Sequence, residues 1–550
     1  MKSILTVLFS CLTLSLFAQT VTELKPVPAN VQKLIEQGIS FSQVSPFTRT
    51  LVPQAMDIPE EVYATGWGLI PDRDQLKQIE TDQPEFLEMI IPRLQGPPLN
   101  LLLYRVNVAT PDFQARYSDG TISFDVLGVH YRGVVKGDPN SLVSISVFRD
   151  QIMGLIADQH GNWNLGPLDN PTDEGIHICY NDRSLAAYHE FSCGVEDDDQ
   201  PHENHHPKGH DPSRGVGDCV RIWWEVDHDI VLNKGSVVAA EAYMTAMAAQ
   251  VYTLYANESL DMATSVFNIW ATPDPYTGGS SSARLASFEA LNGTLNGDLA
   301  HYVDLNNYGG IAHWFDGVCN PDYDENMCYS GIDPSFNNVP TYSWTIMVCT
   351  HEMGHLLGSR HTHACVWNGN NTAIDGCAGG VEGGCPLPPY PPVGVGGTIM
   401  SYCHLSGRPG INLSLGFGPQ PGDVIRARVA GATCLTPCGA PAPCTFTITC
   451  PPNTTVNCGP NPLPASSGNA TIQITSGSCS PTLSYSDNNA GLILCNGTGS
   501  FIRTFTATDN GNTQSCSQTV TKVDNTPPVI SGTANNLTIN CNSPVPAAPS

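Results

Sequence analysis

Apolar and polar positions alternate through "RYSDGTISFDVLGVHYRGVVKGDPNSLVSISVFRDQIMGLIADQHGNWNLGPL", residues 116–168, with Gly, Asp, Asn and Pro breaking the runs. The pattern predicts short, half-buried strands joined by turns. The same alternation returns in "CVRIWWEVDHDI", where Val220, Ile222, Trp224 and Val226 share one side of a strand. Then the period changes. After Ser236, a residue suited to capping a helix, Val237, Ala240, Met244, Met247, Val251 and Leu254 recur at spacings of three and four. This spacing predicts a long helix with one apolar stripe, its methionines and aromatics serving as core packing. Further strands are expected in "SVFNIWAT" and "GGIAHWFDGVC". A second helix is expected through "WTIMVCTHEMGHLLG", with Ser343 as cap and Trp344, Val348, His351 and His355 continuing one buried stripe. Strands and helices mix in this region, so its fold class is α+β.

The pattern also marks boundaries. "FSCGVEDDDQPHENHHPKGHDPSRGVG" (191–217) is polar, acidic and almost free of apolar residues. Such a segment cannot bury enough surface to fold alone and reads as a linker open to proteolysis. Its His202, His205, His206 and His210 are either loose metal ligands or, more simply, solvated linker residues. After Cys438 charged residues become scarce and Thr, Ser, Asn, Pro and Gly dominate around short strands. There "NTTVNCGPNPLPASS" near Cys458 returns as "NLTINCNSPVPAAPS" near Cys541, an internal repeat of a sandwich-like β unit whose second copy breaks off at Ser550. The expected organisation is a segment 1–18, a β-rich region with its linker at 19–214, an α+β domain at 215–438, a β module at 439–525 and the start of a second at 526–550.

Segment 1–18 has one Lys, an apolar run and then Ala18, the layout of a secretory signal peptide cleaved near Ala18. "LFSC" ending at Cys11 is a loose match to a lipid-attachment site, but the apolar run before it is short. No later stretch is apolar enough to span a bilayer. Twenty cysteines among 550 residues suit an oxidising, extracellular setting and are expected mostly as disulfides. The net charge of −27 excludes nucleic acid as a partner and gives no support for anionic membrane surfaces. An acidic exported chain can also take Ca2+, but no loop specifies a site for it.

Candidate chemistry concentrates in "THEMGHLLGSRHTHACVW", residues 350–367. His351 and His355 stand one helical turn apart, so their imidazoles can converge on one ion. Glu352 points to the flank of that pair. Gly358 can end the helix in the left-handed region, letting His361 swing back as a third nitrogen ligand. Three imidazoles leave a tetrahedral zinc with one open position; a water there has its pKa lowered to about 7, and Glu352 can take its proton. A structural zinc would fill all four positions and usually use Cys, and no C-x-x-C pair accompanies this helix. His363 lies past the set and is expected at the surface. Cys365, Cys377, Cys385 and Cys403 lie in a Gly/Pro-rich loop, with Cys365–Cys403 and Cys377–Cys385 the preferred pairing.

H-E-x-x-H-x-x-G-x-x-H resembles the zinc signature of the metzincin metallopeptidases. "GGTIMSYC" resembles their methionine turn, which implies Met400 as a hydrophobic floor beneath the three histidines. Within the clan the likeness is to the reprolysin or adamalysin-like group, which includes the ADAM and ADAMTS proteases, over roughly residues 100–435. "HYRGVVKGDPNSLVSISVFRDQIMGLI" resembles their propeptide core. "CGV" at Cys193 to Val195 resembles the cysteine switch of latent zymogens, a thiolate filling the open zinc position until the linker is cut, for instance after Arg214. The alternative is a Cys193–Cys179 disulfide. Two positions depart from the reprolysin pattern: Thr362 stands where Asp usually follows the third histidine, and Tyr402 follows Met400 as in astacin-like and serralysin-like members. Tyr402 is thus a fifth ligand, a transition-state hydrogen-bond donor or packing. "TFTATDNGNTQSC" and "VDNTPPVI" resemble hyalin-repeat (HYR), immunoglobulin-like modules, implying an extracellular surface ligand.

These likenesses imply a secreted, zinc-dependent endopeptidase made as a latent zymogen, acting on protein or peptide substrates and inhibited by its own propeptide. An extended substrate would pair with the edge strand in "GGIAHWFDGVC", and "HLSGRPGI" would shape the adjoining pocket. The alternative is an extracellular adhesion protein whose metzincin domain is inactive or structural; the intact ligand set with Glu352 argues against it.

Overall fold

This computed structural model describes residues 24–52, 62, 65–168, 175–184, 193–195, 218–293, 295–333, 342–405, 407–438, 445–476, 481–492, 498–509, 512–527, 538–542 and 544. The expected signal peptide with Cys11, the linker histidines and Arg214 lie outside the described residues, as does most of the second repeat copy. The chain divides into two units, Met1–Ala440 and Pro441–Ser550.

In the first unit, two sheets meet across one helix. The helix Val237–Ala256 starts where expected, with the Ser236 side chain accepting the Ala239 N–H. The expectation of a single apolar stripe is overturned: every residue from Ala240 to Tyr255 is buried. The cause is a second layer. One side packs on the strand Asp261–Ile269 and the helix Tyr342–Leu356, the other on strands of the N-terminal region, including Asp138–Val147 and Ile152–Asp158. A helix sandwiched this way is buried all round because it has no solvent face, and Glu241, Thr245, Gln250 and Thr253 are buried with its apolar residues.

The sheet carrying the α+β domain runs in the spatial order Gly310–Ala312, Met327–Gly331, Leu299–Asp304, Asp218–Val226, Asp261–Ile269, Ala109–Tyr117 and Ile122–Ser123, with Thr436–Pro437 added beside Asp218–Val226. Its inner strands are parallel. The helices Val237–Ala256 and Ser281–Leu291 are the crossovers that parallel pairing requires. The sheet crosses the boundary expected at residue 214, since Ala109–Tyr117 is one of its strands. Phe113 of that strand meets Phe267 edge to face, with ring centroids 5.8 Å apart. Arg221 pairs with Asp112, N to O 2.5 Å, and the Tyr117 hydroxyl donates to the buried Glu241 carboxylate. A separate ten-stranded sheet, Ser42–Val44 through His177–Asn181, completes the N-terminal region around its own apolar core.

The helix Tyr342–Leu356 departs from expectation at its start. Ser343 lies inside the helix, and its N–H donates to Asn164 Oδ1 at 2.8 Å. A side chain of the N-terminal region thus takes up an early, otherwise unpaired donor of this helix. Its other end closes as a Schellman turn: Gly358 has φ +96°, its N–H donates to His355 O and Ser359 N–H donates to Gly354 O.

The disulfides Cys219–Cys438 and Cys319–Cys434 tie the ends of the α+β domain together. Between helix and methionine turn the bonds are Cys365–Cys385 and Cys377–Cys403, which corrects the nested pairing expected from sequence. The reason is local pairing: Cys365 N–H donates to Glu382 O and Glu382 N–H to His363 O, which brings Cys385 beside Cys365. Cys179 and Cys193 are both free thiols, so the alternative that joined them fails.

In the second unit, Thr454–Asn457, Asn512–Val523, Gly499–Asp509 and Thr482–Asn488 form a four-stranded sheet. Thr445–Thr449 pairs with Thr471–Ser476, and Cys450 bonds Cys516. Among the described residues, no helix is long and apolar enough to cross a membrane.

Phe113 is 3% exposed and Phe124, on the same region, is 57% exposed. Phe113→Ala should therefore cost about 3–5 kcal/mol in urea unfolding of the full chain, whereas Phe124→Ala should change it by less than about 0.5 kcal/mol. A cost below about 1 kcal/mol at Phe113 would mean that the shared strand is no part of the core.

Candidate functional site

Helix geometry puts His351 and His355 on one face, and the turn after Gly358 returns His361 to them. The three rings meet through their Nε2 atoms, with His355 Nε2 lying 3.1 Å from both His351 Nε2 and His361 Nε2. Each Nδ1 is committed elsewhere: His351 to Ile399 O at 2.8 Å, His355 to Ser359 O at 2.8 Å and His361 to Glu382 Oε1 at 2.7 Å. Because these partners only accept, each Nδ1 carries the proton and each Nε2 presents a lone pair. The rings are buried, and burial first, then the neighbouring imidazoles, holds His351 and His355 well below the ordinary histidine pKa. Burial lowers His361 too, against its bond to Glu382.

Three unprotonated nitrogen lone pairs facing one another repel unless a cation lies among them. The donor set therefore fits a borderline-soft divalent metal such as zinc. Cys193 adds a fourth potential donor, with ligand atoms of Cys193, His351, His355 and His361 all within 4.8 Å of one another.

Glu352 lies beside this cluster and is fully buried. Its Oε2 accepts from the Cys193 thiol at 3.5 Å, while its Oε1 has no hydrogen-bond partner. Burial pushes its carboxyl well above the usual range, against the bond from Cys193. Room for the carboxylate comes from Gly310, where an added Cβ would stand 2.2 Å from Glu352 Oε1. Gly354 gives similar room beneath the helix, its Cβ position lying 2.9 Å from Met400 Sδ. Met400 is fully buried there, under the helix.

Cys193–Val195 crosses the site. Cys193 Sγ is 3.5 Å from His355 Nε2, Cys193 N–H donates to the Tyr402 hydroxyl at 2.9 Å, and Gly194 N–H donates to Gly310 O at 3.1 Å. The last bond lies on the edge strand Gly310–Ala312. Burial, then the charge of Glu352, pushes the Cys193 thiol well above its usual pKa. The Tyr402 ring packs against His361, with centroids 5.0 Å apart.

Two residues stand differently from expectation. His363 is 4% exposed, not at the surface; its ring stacks on His361 with centroids 4.8 Å apart, and its Nε2 lies 3.1 Å from Glu382 Oε1. Glu382 was not legible in the sequence, where it is one acidic residue in a Gly/Cys-rich loop. Burial pushes its carboxyl up, but the bonds from His361 and His363 outweigh this and hold it well below the carboxylate range. Thr362, the departure from the reprolysin pattern, ties the turn together: its N–H and its hydroxyl both donate to Met400 O, at 3.0 and 3.3 Å.

The solved structure of metalloproteinase-II from Bacteroides fragilis is similar to this chain over 55% of it and 90% of that chain, at 10% sequence identity and a TM-score of 0.32. That superposition is too loose to equate residues. Residues 218–412 match the family model of metallo-peptidase family M12, of reprolysin type. The segment that contains the three converging imidazoles is thus similar to the reprolysin-type metallopeptidases of family M12.

Proposed function

We propose that this chain is a secreted zinc endopeptidase made as a latent precursor, with residues 19–214 as propeptide and His351, His355 and His361 as the zinc ligands. The observation that carries this reading is the convergence of three Nε2 lone pairs, each fixed by an acceptor on its Nδ1, beside one carboxylate oxygen without a partner. Five disulfides among the described residues are compatible with an extracellular setting.

Zinc held by the three imidazoles would supply Lewis acidity toward water and the scissile carbonyl. The remaining work belongs to side chains. Glu352, through Oε1, takes a proton from the attacking water and delivers it to the departing amine. The edge strand Gly310–Ala312 aligns an extended peptide by main-chain bonds, of which Gly194 to Gly310 is the internal counterpart. Met400 floors the site, and the Tyr402 hydroxyl, once relieved of the Cys193 N–H, faces the cleft as a hydrogen-bonding group. Cys193 keeps the precursor latent by occupying the place beside Glu352 and His355.

The test is hydrolysis of an unstructured protein by the full chain, compared with Glu352→Gln, with zinc content measured on both after activation in the linker. Glu352→Gln should retain zinc and lose about 10²–10⁴-fold in kcat. Zinc in both with cleavage by neither would favour the adhesion reading, and zinc in neither would refute the ligand assignment. Cys193→Ser should cleave the same substrate without any cut in the linker, whereas the unmodified precursor should not. If Cys193→Ser is as inert as the precursor, the thiol is not the block. Glu382→Gln should lower zinc affinity about 10–100-fold in a chelator competition, because it loosens the orientation of His361; an unchanged affinity would remove Glu382 from the site.

A further inference from the structure

In a propeptide that merely plugs a cleft, the plug should be separable from the enzyme's core. Here the core is shared. Phe113, Leu142, Phe148, Met153 and Leu155 of the N-terminal region belong to the same buried apolar cluster as Met244, Met247 and Val348 of the two helices. The strand Ala109–Tyr117 is hydrogen-bonded in parallel register to Asp261–Ile269, Ala115 opposite Phe267 and Tyr117 opposite Ile269. Three polar ties reach into the peptidase domain: Asp112 to Arg221, Tyr117 to Glu241, and Lys25 to the buried Glu258 at 2.8 Å.

Two asparagines extend this to the catalytic elements. Asn162, 1% exposed, donates to Ile411 O and accepts Leu413 N–H, both at 2.9 Å, beyond the methionine turn. Asn164, fully buried, holds Ser343 N–H at the start of the active-site helix. Removing the N-terminal region would expose one side of a helix buried all round, open an edge of the parallel sheet and strand these partners without bonds. The Cys193–Val195 segment differs, since it hydrogen-bonds to cleft residues Tyr402, Glu352, His355 and Gly310.

We propose that the N-terminal region is a lasting subunit of the working enzyme. Hydrolysis of one linker peptide bond frees the end beyond Val195, the Cys193 segment lifts from the cleft, and the body of the region stays bound. The inference rests on reading 19–214 as a propeptide cut in the linker. Its interface has the character of an obligate one, in which two chains share one apolar core.

The experiment inserts a unique protease recognition sequence after Arg214 in the full chain, cuts it to completion and runs size-exclusion chromatography at micromolar and nanomolar loading. The two fragments should co-elute at both, and should separate only in denaturant. Elution of a free N-terminal fragment at micromolar loading overturns the proposal. Asp112→Ala, which keeps the apolar contacts, should raise the dissociation constant of the cut pair about tenfold or more; no change would detach retention from this interface and refute it as well. Zinc content and cleavage of an unstructured protein, measured on the co-eluting pool, separate this outcome from the peptidase reading. A pair that co-elutes without zinc or activity would sink that reading while leaving the association standing.

Discussion

The site depends on electrostatic repulsion that the fold sustains. Three imidazole lone pairs are held 3.1 Å apart around His355 because each ring's far nitrogen is spoken for by Ile399, Ser359 or Glu382. Those acceptors sit on three different stretches: the methionine turn, the Schellman turn and a disulfide-bracketed loop. Each stretch therefore has to be placed for the three imidazoles to converge. Gly358 closes the helix so that Ser359 O faces back, Thr362 binds Met400 O, and the crossed disulfides hold Glu382 and the turn against the helix.

That arrangement needs a rigid platform, and the platform is larger than the peptidase domain. The helix Val237–Ala256 lies between two sheets, and Tyr255 donates through its hydroxyl to Thr350 O, the residue before His351, at 2.8 Å. Packing supplied by the N-terminal region thus reaches the histidine cluster through one aromatic residue. Asn164 reaches the same helix from its other end.

Much of this could be read from residue order. The strand alternation around Val220 and Trp224, the cap at Ser236, the helix through His351 and its stop at Gly358 are local patterns, each written in a few consecutive residues. What stayed hidden depended on distant pairing. The second buried face of Val237–Ala256 exists only because strands some hundred residues earlier pack on it, and its Ala-rich composition fits a stripe or a sandwich equally well. Glu382 became a site residue through backbone pairing with His363 and Cys365, which carries no sequence mark. The same pairing decided the disulfides. His363 went inward because Glu382 was there to receive it.

Gly194, hydrogen-bonded to Gly310, uses the edge strand that an external peptide would need. A segment tethered in the same chain competes there at an effective concentration in roughly the millimolar range for a short connection. An incoming peptide of equal intrinsic affinity must exceed that figure to displace it, whatever the chemistry at Glu352. A cut in the linker frees one of the segment's two ends, leaves each contact unchanged and alters only the statistics of return. Control of this cleft is thus as much a property of chain connectivity as of any bond within it.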